Sequence, residues 1–276
     1  MNGTRPGLRP GRGSGPWAPA RSTGSSSSTG SWPLSSISDM GPRTTCWPCW
    51  FDVDRSTITR AIGEVRPLLA ERGCTVSPGL RLRTLAEVVD HLGASRKTGI
   101  VDGTEIQVRR PAVGRKDRDK FISGKSKQNA VKTMVLTDAD GRMLFCSPTR
   151  PGSCADITHA RQLGLVKLLA DGPAVEILAD AGYQGLGAQT GGRVVTPPHR
   201  KFKKDAPDWY EEMYERQRKA HSSRRIRVEH GIAHLKNWRA LTRHLGRREH
   251  MSHTVQAVAG LLSHQQTADL TSARQT

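Results

Sequence analysis

The sequence predicts an α/β domain in which a mixed sheet is flanked by helices. Two apolar stretches surround an Asp-Gly step in "AVKTMVLTDADGRMLFC", which is a strong hairpin pattern, and the alternating stretch "TGIVDGTEIQV" precedes them. A helical stretch, "ADITHARQLGLVKLLADG", then leads to the short apolar run "AVEILAD". Three strands in a meander, a crossover helix, a further strand and closing helices favour a layered arrangement.

Residues 1–48 are predicted to form a disordered leader. They contain 8 Gly, 10 Ser and 7 Pro, which leaves too little apolar surface to offset the entropy of ordering. They also contain three of the six tryptophans, which is unusual for a disordered tail. Two explanations stay open: a genuine flexible tail, or a frameshifted translation of GC-rich DNA that once encoded a folded region.

Residues 49–93 are predicted to form a helical segment of the helix-turn-helix type, with "TLAEVVDHLG" as a second short helix. Asp54 is a plausible N-cap, and Pro67 predicts a kink or an early end of the helix that follows. The apolar positions at helical spacing are Ile58, Ile62, Val65 and Leu69. The candidate DNA contacts in the first turns are Arg55, Ser56, Thr57 and Arg60. The alternative is an amphipathic helix that only packs on the core, and the first helix of the motif would fall in the leader.

Two aspartates follow apolar runs in the same way. Asp102 ends "GIVD" and Asp180 ends "EILAD", so both are expected at the C-terminal end of a buried strand. In open α/β sheets, ligands bind at that edge. A single aspartate there would more often form a turn or a helix cap. Two in equivalent positions, in a chain with a formal net charge of +18, favour a ligand site.

Glu229 is the one acid in the basic helical stretch "SSRRIRVEHGIAHLKNWRAL". On a helical wheel it lies at the border of the apolar face formed by Val228, Ile232 and Leu235, so it points partly toward the sheet. The alternative is an exposed ion pair with Arg225, one turn earlier, which would contribute only a few tenths of a kcal/mol.

Three carboxylates from two strands and a helix suit hard divalent cations such as Mg²⁺ or Mn²⁺. Two such ions can activate an attacking oxygen and stabilise a leaving oxygen in phosphodiester chemistry. A zinc site is not expected, because Cys46 and Cys49 form a lone CxxC pair with no second pair. Asp102, Asp180 and Glu229 are therefore the candidate catalytic and metal-binding residues.

The positive charge is concentrated around these carboxylates. Between Arg193 and Arg248 there are 16 Lys and Arg against 6 Asp and Glu, and a second basic cluster follows Asp102. Such a surplus favours a nucleic-acid partner, although a charge run is usually only a solvated face. The candidate phosphate contacts are Lys125, Lys127, Arg225, Arg227 and Lys236. The absence of a secretory leader and of a long apolar run predicts a cytoplasmic protein with no membrane span.

Several motifs together resemble one known family. In order, they are "VDGTEIQVRRP", "SGKSKQNAVKT", "DADGRMLFCSPTRPGSCAD", "LADAGYQG" and "RRIRVEHGIAHLKNWRAL". Over about residues 49–262 the chain resembles bacterial insertion-sequence transposases of the DDE-endonuclease group, in the branch related to the eukaryotic Harbinger elements. One motif departs from the family: "PGSCAD" has Ala155 where histidine is common, although Asp156 is retained.

The resemblance implies an RNase H-like catalytic domain over residues 94–265, followed by a flexible tail over 266–276. Carried over by motif, the catalytic triad is Asp102, Asp180 and Glu229, with two Mg²⁺ or Mn²⁺ ions. The implied partner is double-stranded DNA, both the terminal inverted repeats of an element and its target. A homo-oligomer on DNA, associated with the bacterial nucleoid, is also implied.

The leading hypothesis is therefore a transposase that cuts at the ends of an insertion sequence and joins them to target DNA. The alternative is an inactive or domesticated remnant that binds DNA without cutting it, which the unusual leader favours. A simple nuclease of the same fold would differ only in lacking strand transfer.

Overall fold

The computed structural model describes residues 52–114, 116–199, 207–242 and 247–273. The predicted leader, residues 1–48, lies outside these ranges. Within the part of the chain that the structure describes, no helix combines the length and apolarity needed to cross a membrane.

The first described helix, α1 (Arg55–Glu71), begins after Asp54 as predicted, although the Asp54 side chain makes no capping hydrogen bond. It continues through Pro67 to Glu71, so the predicted early end is wrong. None of its residues is fully buried, because one face only rests against the C-terminal helix of the chain. Its outer face is thus left exposed to solvent.

A small hairpin and a second helix follow. Strands β1 (Cys74–Ser77) and β2 (Leu80–Leu82) pair antiparallel, a hairpin that the sequence patterns do not predict. Helix α2 (Leu85–Ser95) begins with a capping box between Thr84 and Glu87. Its buried side chains are Leu85, Val88, Val89 and Leu92. They pack in the same cluster as the central sheet, so α2 is part of the core of the domain predicted to begin at residue 94.

The meander of the central sheet is confirmed. Strand β3 (Gly99–Gln107) pairs antiparallel with β4 (Ala130–Asp138), and β4 pairs antiparallel with β5 (Met143–Cys146). The Asp-Gly step lies in the turn between β4 and β5, where Gly141 has a φ of 84° that favours glycine. The two-residue strand β6 (Arg150–Pro151) also pairs with β4.

The crossover back to the sheet is helical but broken. Helices α3 (Asp156–Gln162) and α4 (Leu165–Asp171) replace the single predicted helix, because Gly164 between them has a φ of 77°. The chain then forms β7 (Ile177–Leu178), the one-turn α5 (Leu186–Gln189) and β8 (Val194–Val195). Both strands run parallel to β3, and the sheet order is β5-β4-β3-β7-β8. The predicted mixed sheet flanked by helices is confirmed.

Three helices close the chain. The basic stretch predicted to be helical lies in the 29-residue α6 (Asp208–Lys236) and the short α7 (Arg239–Thr242). Helix α8 (Met251–Ala273) follows. Because α8 continues to Ala273, residues 266–273 are helical and do not form the predicted flexible tail. In this part of the helix, Thr267 Oγ1 donates a hydrogen bond of 3.1 Å to the carbonyl oxygen of Thr75 in β1.

Alternate residues of β3 face opposite layers of helices. Val101 packs with α2, α3 and α4 on one face, whereas Ile106 packs with α7 and α8 on the other. Ile100 packs against Val228 of α6. Even-numbered residues of β3 therefore face the C-terminal helices, and odd-numbered residues face α2–α4.

Candidate active site

The two predicted aspartates lie where β3 and β7 separate. Strand β7 pairs with β3 only at Gly99 and Ile100, so the edge of β3 is open from Asp102 onward. The expectation that Asp102 ends its strand is wrong, because β3 stays paired with β4 as far as Gln107. Asp180 comes two residues after β7, and its Oδ1 accepts a hydrogen bond of 2.9 Å from the Gly182 N–H.

The groups around Asp102 shift the pKa of its carboxyl in opposite directions. The pKa of Asp102 is raised to about 6, mainly by burial and in smaller part by the charges of Asp180 and Asp156. The Arg225 guanidinium opposes this shift, since its Nη2 lies 3.0 Å from Asp102 Oδ2. The Gly103 N–H also donates a hydrogen bond of 2.7 Å to Asp102 Oδ1. The side chains of Arg225 and Asp102 are only 12% and 19% exposed, so this ion pair is largely shielded from water.

A third aspartate, Asp156, joins this pair. It is the first residue of α3, and its Oδ1 lies 3.2 Å from Nζ of Lys132 in β4. Burial raises the pKa of Asp156, Lys132 lowers it, and the charge of Asp180 raises it again. The motif "PGSCAD" draws attention to Asp156 in the sequence, but nothing in the sequence pattern places it beside Asp102 and Asp180.

Glu229 lies on the face of α6 that is turned toward Asp102, without reaching it. Arg225, Glu229, Ile232 and Lys236 are spaced so that they share one helix face. Arg225 at one end contacts Asp102, and the charge of Asp102 also acts on Lys236 at the other end. Glu229 lies between them but is exposed, and no described residue forms an ion pair with it. The alternative ion pair with Arg225 is not observed, because Arg225 contacts Asp102.

The predicted basic residues divide into two groups. The loop that carries Lys125 and Lys127 is held to β3, since Ser123 Oγ donates to Glu105 Oε1 at 2.6 Å and Ser126 Oγ donates to Oε2 at 3.0 Å. Lys125 is close enough to Lys236 to lower its pKa, an effect secondary to burial. Lys125 therefore lies near Lys236 on the helix that contacts Asp102, and Lys127 lies in the same loop as Lys125.

Other candidate contacts lie elsewhere. Arg227 lines a separate cavity with Thr98 and Arg224. On α1, Arg55, Ser56 and Arg60 are exposed and Thr57 is half-buried. Arg225, predicted as a phosphate contact, is instead bound to Asp102.

Buried polar contacts support the loops that carry the aspartates. His221 of α6 lies 2.9 Å from the carbonyl oxygen of Ala179, next to Asp180. In α3, His159 Nε2 lies 3.2 Å from Ser147 Oγ, and burial lowers the His159 pKa to about 4, so the imidazole is neutral at pH 7. Sequence patterns do not reveal these contacts, because they join segments that are far apart in the chain.

The donor set suits a hard cation. All of the nearby acidic groups are carboxylates, and Asp156 Oδ1 is a buried oxygen whose charged neighbour is Lys132. Two of the carboxylates are neutralised by Arg225 and Lys132. In this arrangement, no three acidic, His or Cys side chains among the described residues form a ready coordination group. A cation would therefore have to compete with these two basic side chains.

The chain is similar to a known protein family, to a protein from another organism and to a solved structure. The family model described as DDE superfamily endonuclease matches residues 101–263. A candidate transposase for insertion sequence element IS112 of Streptomyces albus G is 32% identical over 171 residues, which is 56% of this chain. The matched part spans 57% of the length of that relative. Among solved structures, the Mos1 transposase paired-end complex with left transposon end matches 76% of this chain and 81% of its own, at 12% identity and a TM-score of 0.23.

Proposed function

Because the chain belongs to the DDE superfamily endonucleases, we propose that it is a DNA transposase that cuts at insertion-sequence ends and joins them to target DNA. The observation that carries this proposal is the meeting of Asp102 and Asp180 where β3 and β7 separate, in a chain of net charge +18. Acidic groups at an open sheet edge on a basic protein fit metal-dependent chemistry on a polyanion.

In this proposal Asp102, Asp180 and Glu229 hold two Mg²⁺ or Mn²⁺ ions. When bound, the ions would supply charge stabilisation for an in-line displacement at phosphorus. In the cutting step a water oxygen bonds to phosphorus while the bond from phosphorus to the 3′ oxygen breaks, leaving a 3′-OH. In the joining step that 3′-OH bonds to a target phosphorus, and the target's own 3′ oxygen leaves.

Basic side chains would hold the DNA backbone. Lys125 and Lys127, in the loop tied to Glu105, and Lys236 on α6 would contact phosphates near the cut. Arg225 would leave Asp102 when a cation binds there, because two positive charges cannot share one carboxylate at low cost. Its guanidinium would then be available to a phosphate, as the sequence predicts.

End recognition is proposed for the segment of residues 49–93. The exposed Arg55, Ser56 and Arg60 on the first turns of α1 have the composition expected of a helix that enters the major groove. Thr57 and the side chain of Arg227 are proposed as supporting contacts. The assembly on DNA is proposed to be a homo-oligomer.

One observation favours a second candidate, a remnant that binds DNA without cutting it. Arg225 is bound to Asp102, and no described residues form a ready coordination group. If this ion pair persisted on DNA, binding would occur without cleavage.

The test is nicking of a supercoiled plasmid that carries the DNA flanking the gene, with and without Mg²⁺. We expect wild type to nick only with Mg²⁺, and Asp102→Ala and Asp180→Ala to lose nicking while still binding the plasmid. The matched control is Asp90→Asn, an exposed residue of α2, which should nick like wild type. Equal nicking by wild type and Asp102→Ala would disprove the role of Asp102. Binding without nicking by wild type would support the second candidate.

A further inference from the structure

We propose that Asp156 is a further metal ligand of this active site. It would bind the same ion as Asp180, on the side of the sheet opposite Glu229. This inference rests on the proposed function, since it concerns the same ions. It adds a fourth carboxylate to the three that sequence motifs supply.

Two glycines make the space that the Asp156 carboxylate fills. A Cβ atom added at Gly103 would lie 2.2 Å from Asp156 Oδ1, and one added at Gly182 would lie 3.1 Å from Asp156 Oδ2. Each glycine comes one or two residues after a proposed ligand, Asp102 or Asp180. The absence of both side chains therefore lets Asp156 approach these two aspartates.

The surroundings of Gly182 also indicate that Asp180 is the aspartate that would bind an ion together with Asp156. The same added Cβ would lie 3.0 Å from Asp180 Oδ1, so oxygens of Asp156 and Asp180 border one small space. Like charges this close repel unless a cation lies between them. The buried Asp156 Oδ1 lies 3.2 Å from Lys132 Nζ, so a cation would have to compete with this ammonium group for the oxygen.

Asp102 and Asp156 lie toward opposite faces of β3, so a fourth ligand would bind an ion on the side that Asp102 and Glu229 do not reach. Asp102 points toward α6, as its contact with Arg225 shows, whereas its neighbour Gly103 points toward α3 and Asp156. Asp102 and Glu229 would therefore serve one side of the open edge. Asp156 would serve the other side, and Asp180 lies between them.

When no metal ion is bound, Lys132 neutralises the charge of the Asp156 carboxylate. Its Nζ lies 3.2 Å from Asp156 Oδ1 and 3.9 Å from Glu105 Oε1, and only 12% of the Lys132 side chain is exposed. A simpler role for Asp156 would be to neutralise this buried ammonium. The experiment must separate that role from metal binding.

The test measures binding of Mn²⁺ to the full chain by electron paramagnetic resonance, without DNA. We expect Asp156→Asn to raise the Kd for Mn²⁺ by at least about 10-fold, as is typical even for residues that only support a ligand. Asp102→Asn should do the same, and Asp90→Asn should bind like wild type. If Asp156→Asn binds like wild type while Asp102→Asn does not, Asp156 is not a ligand and the proposed function stands. If wild type binds no Mn²⁺, the metal-dependent function itself is overturned.

Lys132→Met separates metal binding from neutralisation. If Asp156 only neutralised Lys132, both substitutions would break the same ion pair and change the Mn²⁺ affinity in the same direction. If Asp156 binds the ion, Lys132→Met removes a competing cation, so the affinity is kept or increased.

Gly103→Ala provides a second test of the proposal, in a variant that keeps every carboxylate. The added methyl group should displace Asp156 and weaken Mn²⁺ binding, but it should have no further effect when combined with Asp156→Ala. Additive losses in the double variant would contradict the proposal. Circular dichroism of each variant without metal confirms that the fold is retained.

Discussion

At the scale of single residues, Asp102 shows how the fold prepares a carboxylate for a positively charged partner. Burial and two neighbouring aspartates disfavour its ionised form, while Arg225 favours it. The balance leaves the pKa at about 6, well above the ordinary value of 3.8. Asp102 is therefore ionised at neutral pH, but it is held at a cost in stability that a bound cation would offset.

This cost predicts a pH dependence of stability. Between about pH 4 and about pH 6 the folded chain holds a proton on Asp102 that the unfolded chain has lost, so the free energy of unfolding falls as the pH rises. Asp102→Asn cannot titrate, so its stability relative to wild type should increase across this window by up to about 3 kcal/mol and stay constant above it. Urea denaturation in EDTA from pH 4 to about pH 8 measures the difference. Parallel stability curves would contradict the raised pKa.

A second residue-scale prediction concerns Glu229. Glu229→Gln removes one charge from an exposed position of α6 and leaves the helix intact, so DNA binding should be almost unchanged. Mg²⁺-dependent nicking should fall by about 100-fold or more if Glu229 completes the metal site. Plasmid nicking and filter binding of the same preparation measure the two effects. Glu212→Gln, exposed near the start of α6, is the control that should keep both activities.

At the scale of elements, the β4–β5 turn positions α6. The carbonyl oxygen of Gly141 would lie 2.8 Å from a Cβ added at Gly231, so the helix and the turn touch through their backbones. On the other side of the contact, a Cβ at Gly141 would lie 2.6 Å from the carbonyl oxygen of Arg227. This close approach sets the distance of Glu229 and Arg225 from the sheet.

The contact predicts that Gly231→Ala disturbs the site from a distance. The added methyl group meets backbone that cannot move aside, so α6 must shift, and we expect a loss of stability of about 1–3 kcal/mol. Nicking should decrease as well, since Arg225 and Glu229 move with the helix. Thermal denaturation and plasmid nicking measure the two effects. Ala233→Ser, on the exposed face of α6, should change neither; an unchanged Gly231→Ala would show that the contact is looser than described.

At the scale of the whole molecule, the positive charge is distributed around the sheet edge that holds the aspartates. Lys236 lies on α6, where the charges of Asp102 and Lys125 act on it, and the loop of Lys125 and Lys127 is tied to β3 through Glu105. A surface of this kind attracts DNA through its phosphates without reading the sequence.

The charge distribution predicts a steep salt dependence of DNA affinity. Each phosphate contact adds about 0.9 to the slope of log K against log salt concentration, so Lys125→Ala and Lys127→Ala should each lower the slope by about that amount. Fluorescence anisotropy with a labelled duplex at several salt concentrations measures the slope. Lys167→Ala, exposed on α4, is the control that should leave it unchanged. An equal decrease in all three variants would mean that the charge acts only as a diffuse field.

Local patterns predicted most of the elements. The alternation in "TGIVDGTEIQV", the Asp-Gly turn and the helical stretch "TLAEVVDHLG" are short-range signals, and the structure contains each element that they predict. The break at Gly164 differs from prediction because this glycine takes a positive φ, and α1 continues through Pro67 where an early end was a predicted outcome. Residues 266–273 also differ from prediction, and a contact with β1 accompanies the extended helix there.

By itself, the sequence determined the mixed sheet, the family, and the positions of Asp102 and Asp180 after apolar runs, because these depend on residue order and local periodicity. Only the tertiary structure decided what each carboxylate meets. It placed Arg225 on Asp102, Lys132 on Asp156, and Asp156 between Gly103 and Gly182. These contacts join residues from different strands and helices, and their distances depend on how the layers pack, which no local pattern of residues records.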